Sequence, residues 1–401
     1  MNEKRIIYRQ KYDEIVEPYI GDSLIKIFTG QRRVGKSFIL YQVMDKIKQN
    51  HISGNNIYIN KEDFQFDSIK NYSDLITYVE HIKENGKVFL FIDEVQEIKN
   101  FEKALRHFQS KGDYDIYCTG SNSKLLSSEI ATYLAGRYIQ IRCFSLSYLE
   151  FLKFHKLDEN IESLNKYIRY GGMPHLINLK NEDYVYYEYL KNVFDSIVLR
   201  DIVARYKIRN IHFLNDLILF LADNLGSIIS AKKISDYLKS QKINIQPKII
   251  IEYLVYLESV FFIERVKRFD IPGKKIFEIG DKFYFEDLGM RNSLIPYQQK
   301  DINKILENLV FHHLRVNRYD VFVGKQGDRE IDFVAKKDSK KYYLQVAYII
   351  PDEKTHVREF GNLLKIEDSY PKMVVSMDEL AGGNFKGIEH WHIRKFLTEF
   401  E

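Results

Sequence analysis

Two glycines, a lysine and a serine near the start of the chain have the spacing of a phosphate-binding loop. The stretch IFTGQRRVGKSFIL (27–40) fits the pattern G-x-x-x-x-G-K-S between an apolar strand pattern and an apolar helical pattern. In such loops glycines let backbone N–H groups surround the phosphates, the lysine reaches the outer phosphates and the serine hydroxyl binds Mg²⁺. The residues expected to contact a nucleotide are Gly30, Gln31, Arg32, Arg33, Val34, Gly35, Lys36, Ser37 and Phe38.

An acidic pair follows the next strongly apolar stretch. KVFLFIDEVQEI (87–98) predicts a strand buried on both faces, as in a parallel sheet, and it ends in Asp93 and Glu94. Asp93 could hold Mg²⁺ through water, while Glu94 could orient and deprotonate an attacking water. Such an Asp-Glu pair resembles that of ATPases that hydrolyse their nucleotide, and not that of kinases that transfer its phosphate to a metabolite. A strand end followed by a helix cap is the alternative interpretation.

Polar residues follow a third predicted strand, in YDIYCTGSNSKLL (114–126). If this strand lies between the previous two, Ser121 or Asn122 could contact the γ-phosphate; a simple turn is the alternative. A further strand is predicted from Tyr138 to Cys143, and Arg137 precedes it. Arg137 could be a charge-sensing or finger arginine, and structural pairing is the competing interpretation. Action in trans would imply a homo-oligomer, whereas action in cis would not.

Composition narrows the class of protein. The chain has 401 residues, 45% of them hydrophobic, and a formal net charge of +4 that neither requires nor excludes nucleic acid. Its length suggests two to four domains. Cys118 and Cys143 are the two cysteines, which suits a reducing compartment. With a charged start and no long apolar run, we expect a soluble cytoplasmic protein without a membrane span.

Several motifs together resemble a known family. The stretches GQRRVGKS, LFIDEVQEI, CTGSNSKLL, LAGRYIQIRCFSLSYLEF, YGGMPHLI, KFYFEDLGMRN, LENLVFHHL and REIDFVA occur in this order. They resemble prokaryotic AAA-type ATPases of the archaeal-ATPase-like branch, which carry a C-terminal domain of unknown function. The resemblance implies an α/β P-loop NTPase core with a parallel sheet (1–147), a helical lid (148–207), a winged-helix domain (208–295) and a small restriction-endonuclease-like α/β domain (296–401).

Apolar residues at helical spacing predict helices in the region that resembles the family's lid, interrupted by YGGMPH (170–175), where glycines and a proline must break a helix. In this lid Arg200 and Arg205 are candidate phosphate sensors, although solvated helix charges are the default interpretation.

The winged-helix domain is predicted from three amphipathic helices and a hairpin. The third helix carries Lys248 but also Glu252, Glu258 and many large apolar residues, which is more typical of a packing helix than of one that reads bases. The basic side chains are concentrated in the predicted wing, where phosphate contact would make DNA a partner. These residues are Arg265, Lys267, Arg268, Lys274 and Lys275. A solvated basic edge that discourages strand pairing is the alternative.

The last hundred residues contain part of a nuclease pattern. Glu307 lies on a predicted helix, Asp332 in a predicted strand and Gln345 in the next strand. Restriction-endonuclease-like enzymes have a carboxylate at the position of Gln345 and a lysine at the position of Ala347, so the resemblance implies a degenerate copy. An amide is a weaker ligand for Mg²⁺ than a carboxylate, and hydrolysis of DNA here is not expected.

The sequence therefore predicts an ATP-hydrolysing switch or remodelling protein with ATP and Mg²⁺ as cofactors. Its expected catalytic residues are Glu94, Lys36 and Arg137, with Ser37 and Asp93 at the metal. The partner is a protein or a nucleic acid. An ATP-gated nuclease and a nucleotide-holding regulator with little turnover remain the alternatives.

Overall fold

The chain divides into two compact units in a computed structural model. The structure describes residues 6–123, 133–134, 136–273, 280–350, 352–379 and 381–401. The first unit comprises Met1–Phe144 with Ser259–Phe261, and the second comprises Ser145–Glu258 with Phe262–Glu401.

A parallel five-stranded sheet forms the centre of the first unit. Its strands are β1 (Ile25–Thr29), β2 (Asn55–Asn60), β3 (Val88–Asp93), β4 (Tyr114–Gly120) and β5 (Tyr138–Arg142). The order across the sheet is β2-β3-β4-β1-β5, with every neighbouring pair parallel. The third motif strand, β4, therefore lies between the strands of the first two motifs, which is the condition under which Ser121 or Asn122 could contact the γ-phosphate. The helices around the sheet are α1 (Gln10–Val16), α2 (Lys36–Gln49), α3 (Tyr72–Ile82) and α4 (Phe101–Lys111).

The three central strands are buried along their whole length, which matches their near-continuous apolar sequences. Two charged residues interrupt these sequences, and they pair with each other. The Lys26 Nζ lies 2.6 Å from an Asp115 carboxylate oxygen, and both side chains are fully buried. Asp115 also accepts hydrogen bonds from the Gly21 N–H and the Tyr117 hydroxyl, so this buried ion pair is fully hydrogen-bonded.

Helices make up the first half of the second unit. They are α5 (Tyr148–His155), α6 (Ile161–Tyr170), α7 (Asp183–Ser196), α8 (Ile211–Asp223), α9 (Ala231–Ser240) and α10 (Pro247–Ser259). Helix α6 ends at Tyr170, followed by Gly171 at φ +71°, and a short 3-10 helix begins at Pro174. The predicted helix break at YGGMPH is thus confirmed. A π-helical segment, Ile197–Ala204, continues α7.

Two strands after α10 pair in antiparallel fashion, namely β6 (Ile263–Val266) and β8 (Lys282–Phe285). The strand between them, β7 (Arg268–Asp270), instead pairs in parallel with a strand of the C-terminal sheet. The predicted wing hairpin is therefore present in β6 and β8, but residues 268–270, which the sequence also assigns to the hairpin, pair elsewhere. Its partner was decided by contacts between distant segments, which local pattern does not contain.

The rest of the unit is a mixed α/β layer. Its helices are α11 (Leu288–Leu294), α12 (Ile302–Val316), α13 (Glu353–Leu364) and α14 (Ile393–Glu399). Its strands are β9 (Asp320–Gln326), β10 (Arg329–Lys337), β11 (Lys340–Ala347), β12 (Lys372–Ser376), β13 (Gly383–Phe385) and β14 (Ile388–His392). With β7 they form a seven-stranded sheet in the order β13-β14-β12-β11-β10-β9-β7. The predicted helix with Glu307 and the three strands after it are present.

Within the described ranges, no helix combines the length and apolar character that crossing a membrane requires.

Candidate nucleotide site

The loop between β1 and α2 has the conformation that its glycines allow. Gly35 adopts φ +95° directly before α2, a region that favours glycine. At Gly30 the reason is packing, because a Cβ there would lie 2.2 Å from the Cys143 carbonyl oxygen. Arg33 adopts φ +71°, a strained conformation for a residue with a side chain. Gly30 thus permits close approach of β5 to the loop, while Gly35 permits the turn into the helix.

The Lys36 ammonium lies inside this loop. Its Nζ donates hydrogen bonds to the carbonyl oxygens of Gly30, at 3.1 Å, and Gln31, at 3.0 Å. The same nitrogen is 3.8 Å from a Glu94 carboxylate oxygen, and the Lys36 side chain is almost completely buried. The structure therefore brings together the lysine and the acid that the sequence separates by nearly sixty residues.

Asp93 ends β3 and is held by hydroxyl groups from three directions. Thr119 and Tyr58 donate hydrogen bonds to its two carboxylate oxygens, the latter at 3.1 Å. The Ser37 hydroxyl also hydrogen-bonds to this carboxylate. Burial raises the pKa of Asp93 above its usual value, although the hydrogen bonds from Ser37 and Thr119 oppose that shift. The two residues predicted to face Mg²⁺, Ser37 and Asp93, are thus neighbours.

Glu94 is buried and electrostatically stabilised. Its backbone lies in the left-handed region at φ +56°, and its N–H donates to the Thr119 Oγ1 at 2.9 Å. Burial by itself would raise the pKa of its carboxyl, but the Lys36 ammonium, a hydrogen bond from Gln96 and the Arg32 guanidinium together hold that pKa below its usual value. An ionised carboxylate that accepts a hydrogen bond can also accept a proton from water.

The end of β4 lies beside these groups. Ser121 and Asn122 are both buried, and the Gln96 amide is 3.4 Å from the Ser121 Oγ. Sequence reasoning missed Gln96 and Thr119 as members of the site. Only their positions in the sequence could have indicated them. Gln96 follows β3 and Thr119 lies at the end of β4, and the carboxyl ends of these two neighbouring strands meet at one edge of the sheet.

The remaining loop residues differ in their surroundings. The Arg32 guanidinium is buried and lies 2.8 Å from a Glu62 carboxylate oxygen. Val34 is fully buried, whereas 47% of the Phe38 side chain is exposed. Gln31 is fully buried, and in the part of the chain that the structure describes neither polar atom of its amide has a hydrogen-bond partner. A buried amide of this kind fits a loop that receives a polar ligand.

A residue before the sheet also supports the loop. The buried Arg9 guanidinium donates hydrogen bonds to the carbonyl oxygens of Val34, at 3.1 Å, and Phe144, at 2.9 Å. The Arg9 backbone exchanges two hydrogen bonds with the Gln42 amide of α2. Arg9 therefore connects the N-terminal segment, the phosphate-loop backbone and the end of β5, a role that no sequence motif indicated.

Arg137 lies at the opposite edge of the sheet. Its carbonyl oxygen accepts a hydrogen bond from the Ile25 N–H, which places it where β1 begins, whereas the loop follows the end of β1. Five residues of strand separate the two ends by about 17 Å, at about 3.3 Å a residue. Arg137 is exposed and donates a long hydrogen bond, 3.5 Å, to Gln109. Arg137 therefore lies at the end of the sheet opposite the phosphate loop of its own chain, and a part for it at the nucleotide stays a prediction.

The predicted lid arginines belong to the second unit. Arg200 is exposed on the π-helical segment and Arg205 follows it, partly buried.

Three of the five residues of the predicted basic wing are described by the structure, and their surroundings differ. Arg265 lies 2.8 Å from Glu258 and 3.9 Å from Asp281, so its charge is compensated. Arg268 lies in β7, within the large sheet, while Lys267 is exposed. The other two predicted members, Lys274 and Lys275, lie outside the described residues.

Comparison with known proteins gives two family matches. Residues 22–152 match a model described as an AAA domain, and residues 161–301 match one described as a domain of unknown function (DUF8612).

Full-length relatives and a solved structure are also similar to the chain. An uncharacterized protein of Haemophilus influenzae is 34% identical over 403 residues, which cover 99% of this chain and 100% of that protein. An uncharacterized protein of Methanocaldococcus jannaschii is 35% identical over 341 residues, covering 81% of this chain and 74% of that one. A solved Walker-type ATPase of Pyrococcus abyssi has 14% identity and a TM-score of 0.50, covering 73% of this chain and 97% of that chain, and so shares the fold.

Proposed function

The chain belongs to the same family as its full-length Haemophilus influenzae relative, and it carries an AAA domain. We propose that it hydrolyses ATP to change the conformation of a bound partner. One observation carries this proposal. The Glu94 carboxylate is buried yet has a lowered pKa, and it lies 3.8 Å from the Lys36 ammonium of the phosphate loop. An ionised acid beside a phosphate-binding lysine has the position and protonation state of a base for water.

Each residue of the site has a proposed part in hydrolysis. Lys36 leaves its carbonyl partners to bind the outer phosphates of ATP, and the N–H groups at the start of α2 bind the others. Glu94 orients and deprotonates the water, with Gln96 and Thr119 fixing its side chain and backbone. Ser121 and Asn122, at the end of β4, report the γ-phosphate.

Mg²⁺ would be held by the Ser37 hydroxyl and by Asp93, which already form a hydrogen-bonded pair. When bound, Mg²⁺ neutralises charge on the phosphate oxygens. The Thr119 and Tyr58 hydroxyls keep the Asp93 carboxylate turned toward Ser37, so the chain itself determines the orientation of the metal ligands.

Arg137 enters this proposal through a second copy of the chain. Its place at the far end of its own sheet supports action in trans. Sedimentation with and without a non-hydrolysable ATP analogue tests this part. A monomer under both conditions removes Arg137 from the site.

For the second unit we propose the lid (148–207), the winged helix (208–295) and the restriction-endonuclease-like domain (296–401). Helices α8, α9 and α10 followed by the antiparallel β6–β8 pair support the winged helix. Helix α12 followed by the antiparallel strands β9, β10 and β11 supports the C-terminal domain.

Duplex DNA is the partner that the charge distribution favours, and the proposed contact is the α9–α10 surface rather than the wing. Between residues 231 and 248 five lysines are exposed, against one carboxylate, Asp236. The turn is fixed by the Ser235 hydroxyl, which donates to the Ile245 carbonyl at 2.7 Å, and it presents exposed amides at Gln241, Asn244 and Gln246. Lysines supply phosphate contacts, and amides near a helix N-terminus can reach base edges. The lysines are Lys232, Lys233, Lys239, Lys242 and Lys248.

The test is ATP turnover with and without duplex DNA. We expect DNA to raise turnover in the wild type and not in a variant with Lys239→Gln, Lys242→Gln and Lys248→Gln. The matched control carries Lys300→Gln, Lys340→Gln and Lys386→Gln, which removes the same charge from other exposed positions of this unit. If DNA does not change ATP turnover, the partner is a protein and not DNA, and the proposed ATP hydrolysis is unaffected. If both triple variants lose the stimulation by DNA equally, the stimulation depends on the net charge of the unit and not on the α9–α10 surface.

A further inference from the structure

A buried lysine lies among three carboxylates in the second unit. Lys282 is the first residue of β8, Glu307 lies on α12, and Glu330 and Asp332 lie on β10. The Lys282 Nζ forms an ion pair with Glu307, is 2.7 Å from a Glu330 carboxylate oxygen and 3.8 Å from one of Asp332. Its side chain is 3% exposed, so the cluster is nearly closed to water on the lysine side.

Two further contacts orient the acids around this nitrogen. The Tyr284 hydroxyl donates to the same Glu307 oxygen at 2.8 Å, and the Val346 N–H donates to the second Asp332 oxygen at 2.8 Å. Burial would lower the pKa of Lys282, but the three carboxylates raise it above its usual value, so the lysine carries its charge. The ammonium is therefore the central cation of a hydrogen-bonded cluster.

Glu307 and Asp332, the acids of the nuclease pattern, do not form a magnesium site in this structure. Mg²⁺ needs carboxylate oxygens at about 2.1 Å in an octahedral arrangement. An ammonium in direct contact with Glu307 and Glu330 occupies the space such an ion would need. Among the residues that the structure describes, and with Lys282 in this position, no group of three or more His, Cys, Asp or Glu side chains is arranged to hold a metal ion.

We propose that Lys282 replaces a divalent cation in the C-terminal domain, holding Glu307, Glu330 and Asp332 in a cation-binding arrangement and closing that arrangement to metals. Two buried acids, Glu307 and Asp332, and the partly exposed Glu330 converge on one buried nitrogen, an arrangement that is costly without a cation at its centre. A lysine supplied by β8 provides that charge permanently, so the cluster is assembled without dependence on ion concentration. The domain then acts through its surface and not through metal-dependent chemistry at this point.

The first test removes the lysine and measures Mn²⁺ binding to the nucleotide-free full chain by the electron paramagnetic resonance of free Mn²⁺. Lys282→Met keeps the length of the side chain and removes its charge. We expect this variant to bind one more Mn²⁺ per chain than the wild type, at least tenfold more tightly than any wild-type site. The gain should disappear when Asp332→Asn is added. Lys336→Met, which removes a lysine from the same strand as Asp332, is the matched control and should gain no ion.

The second test uses the folded wild type, so it does not depend on the variant folding. Fe²⁺ with ascorbate cleaves a polypeptide beside the metal sites that Fe²⁺ occupies. We expect no cleavage near residues 307 and 330–332 in the wild type. Cleavage there, or a folded Lys282→Met variant that gains no Mn²⁺, would overturn the proposal. Both tests omit nucleotide, so they give the same answer whether or not the chain hydrolyses ATP.

Discussion

Thr119→Val tests whether one hydroxyl holds the two acidic residues of the site. The Thr119 Oγ1 donates to the Asp93 carboxylate and accepts the Glu94 N–H at 2.9 Å, and the side chain is fully buried. Valine has a similar shape without the hydroxyl, so the change removes both hydrogen bonds without leaving a large cavity.

The size of the effect follows from these two bonds. Losing a hydrogen bond to a carboxylate costs about 2 kcal/mol, and leaving a buried N–H without an acceptor costs about 1 kcal/mol more. The free energy of unfolding should thus fall by about 3 kcal/mol. For a unit of about 150 residues this lowers Tm by about 6–12 °C, at about 2–4 °C for each kcal/mol.

The assay is thermal unfolding followed by circular dichroism, with ATP turnover measured on the same samples below the transition. Thr119→Ser keeps the hydroxyl and should retain most of the stability and the turnover. Turnover in Thr119→Val should fall at least tenfold, because the Glu94 backbone is no longer fixed. If Thr119→Val melts with the wild type, or if Thr119→Ser is damaged equally, the hydroxyl does not hold the site.

Three further predictions concern groups whose surroundings the structure defines. Arg9 supports the loop carbonyl of Val34, so Arg9→Met should raise KM for ATP about tenfold and leave kcat within about twofold of the wild type. Arg9→Lys should have a KM between those of the wild type and Arg9→Met. Steady-state kinetics that show a fall in kcat alone would contradict this. Lys36 holds the pKa of Glu94 below its usual value, so Glu94 should stay ionised and ATP turnover should stay constant from pH 8 to pH 6. A pH–rate profile in which turnover is lost around pH 6.5 would refute Glu94 as the base. Burial lowers the pKa of His155 to about 4, so the unfolded chain binds the proton first as the pH falls below about 6.5, and stability should drop between pH 6.5 and 4. His155→Gln should reduce that drop in Tm, and an unchanged drop would show that other groups cause it.

The first unit followed from the sequence because its signals are local. A continuous apolar run predicts a buried strand, and the spacing of Gly30, Gly35, Lys36 and Ser37 predicts a loop before a helix; both are present. The position of β4 between β1 and β3 met the condition set for Ser121 and Asn122, whereas the positions of β2 and β5 in the sheet were not predicted. The hydroxyl of Thr119 did not follow, because the register of β3 against β4 decides which side chain faces Asp93.

Contacts between distant segments limited the rest. The second strand of the predicted wing joins the C-terminal sheet through pairs such as Arg268 with Val323, and no pattern within residues 261–285 contains that information. The cluster around Lys282 joins residues 25 to 50 positions apart, and the motif KFYFEDLGMRN, which begins at Lys282, gave this lysine no role. Sequence reasoning therefore found the acids Glu307 and Asp332 but not the cation between them.

Comparison of Glu94→Gln with the wild type in steady-state ATP turnover tests the central claim most directly. Glutamine keeps the shape of the side chain but cannot accept a proton, and loss of a positioned base costs about 10²- to 10⁴-fold in rate. We expect turnover to fall at least a hundredfold while binding of a fluorescent ATP analogue is retained. Glu97→Gln, a change three residues away at an exposed position, is the control and should leave turnover unchanged. Equal turnover in Glu94→Gln and the wild type would contradict the assignment of Glu94 as the base and with it the proposed mechanism.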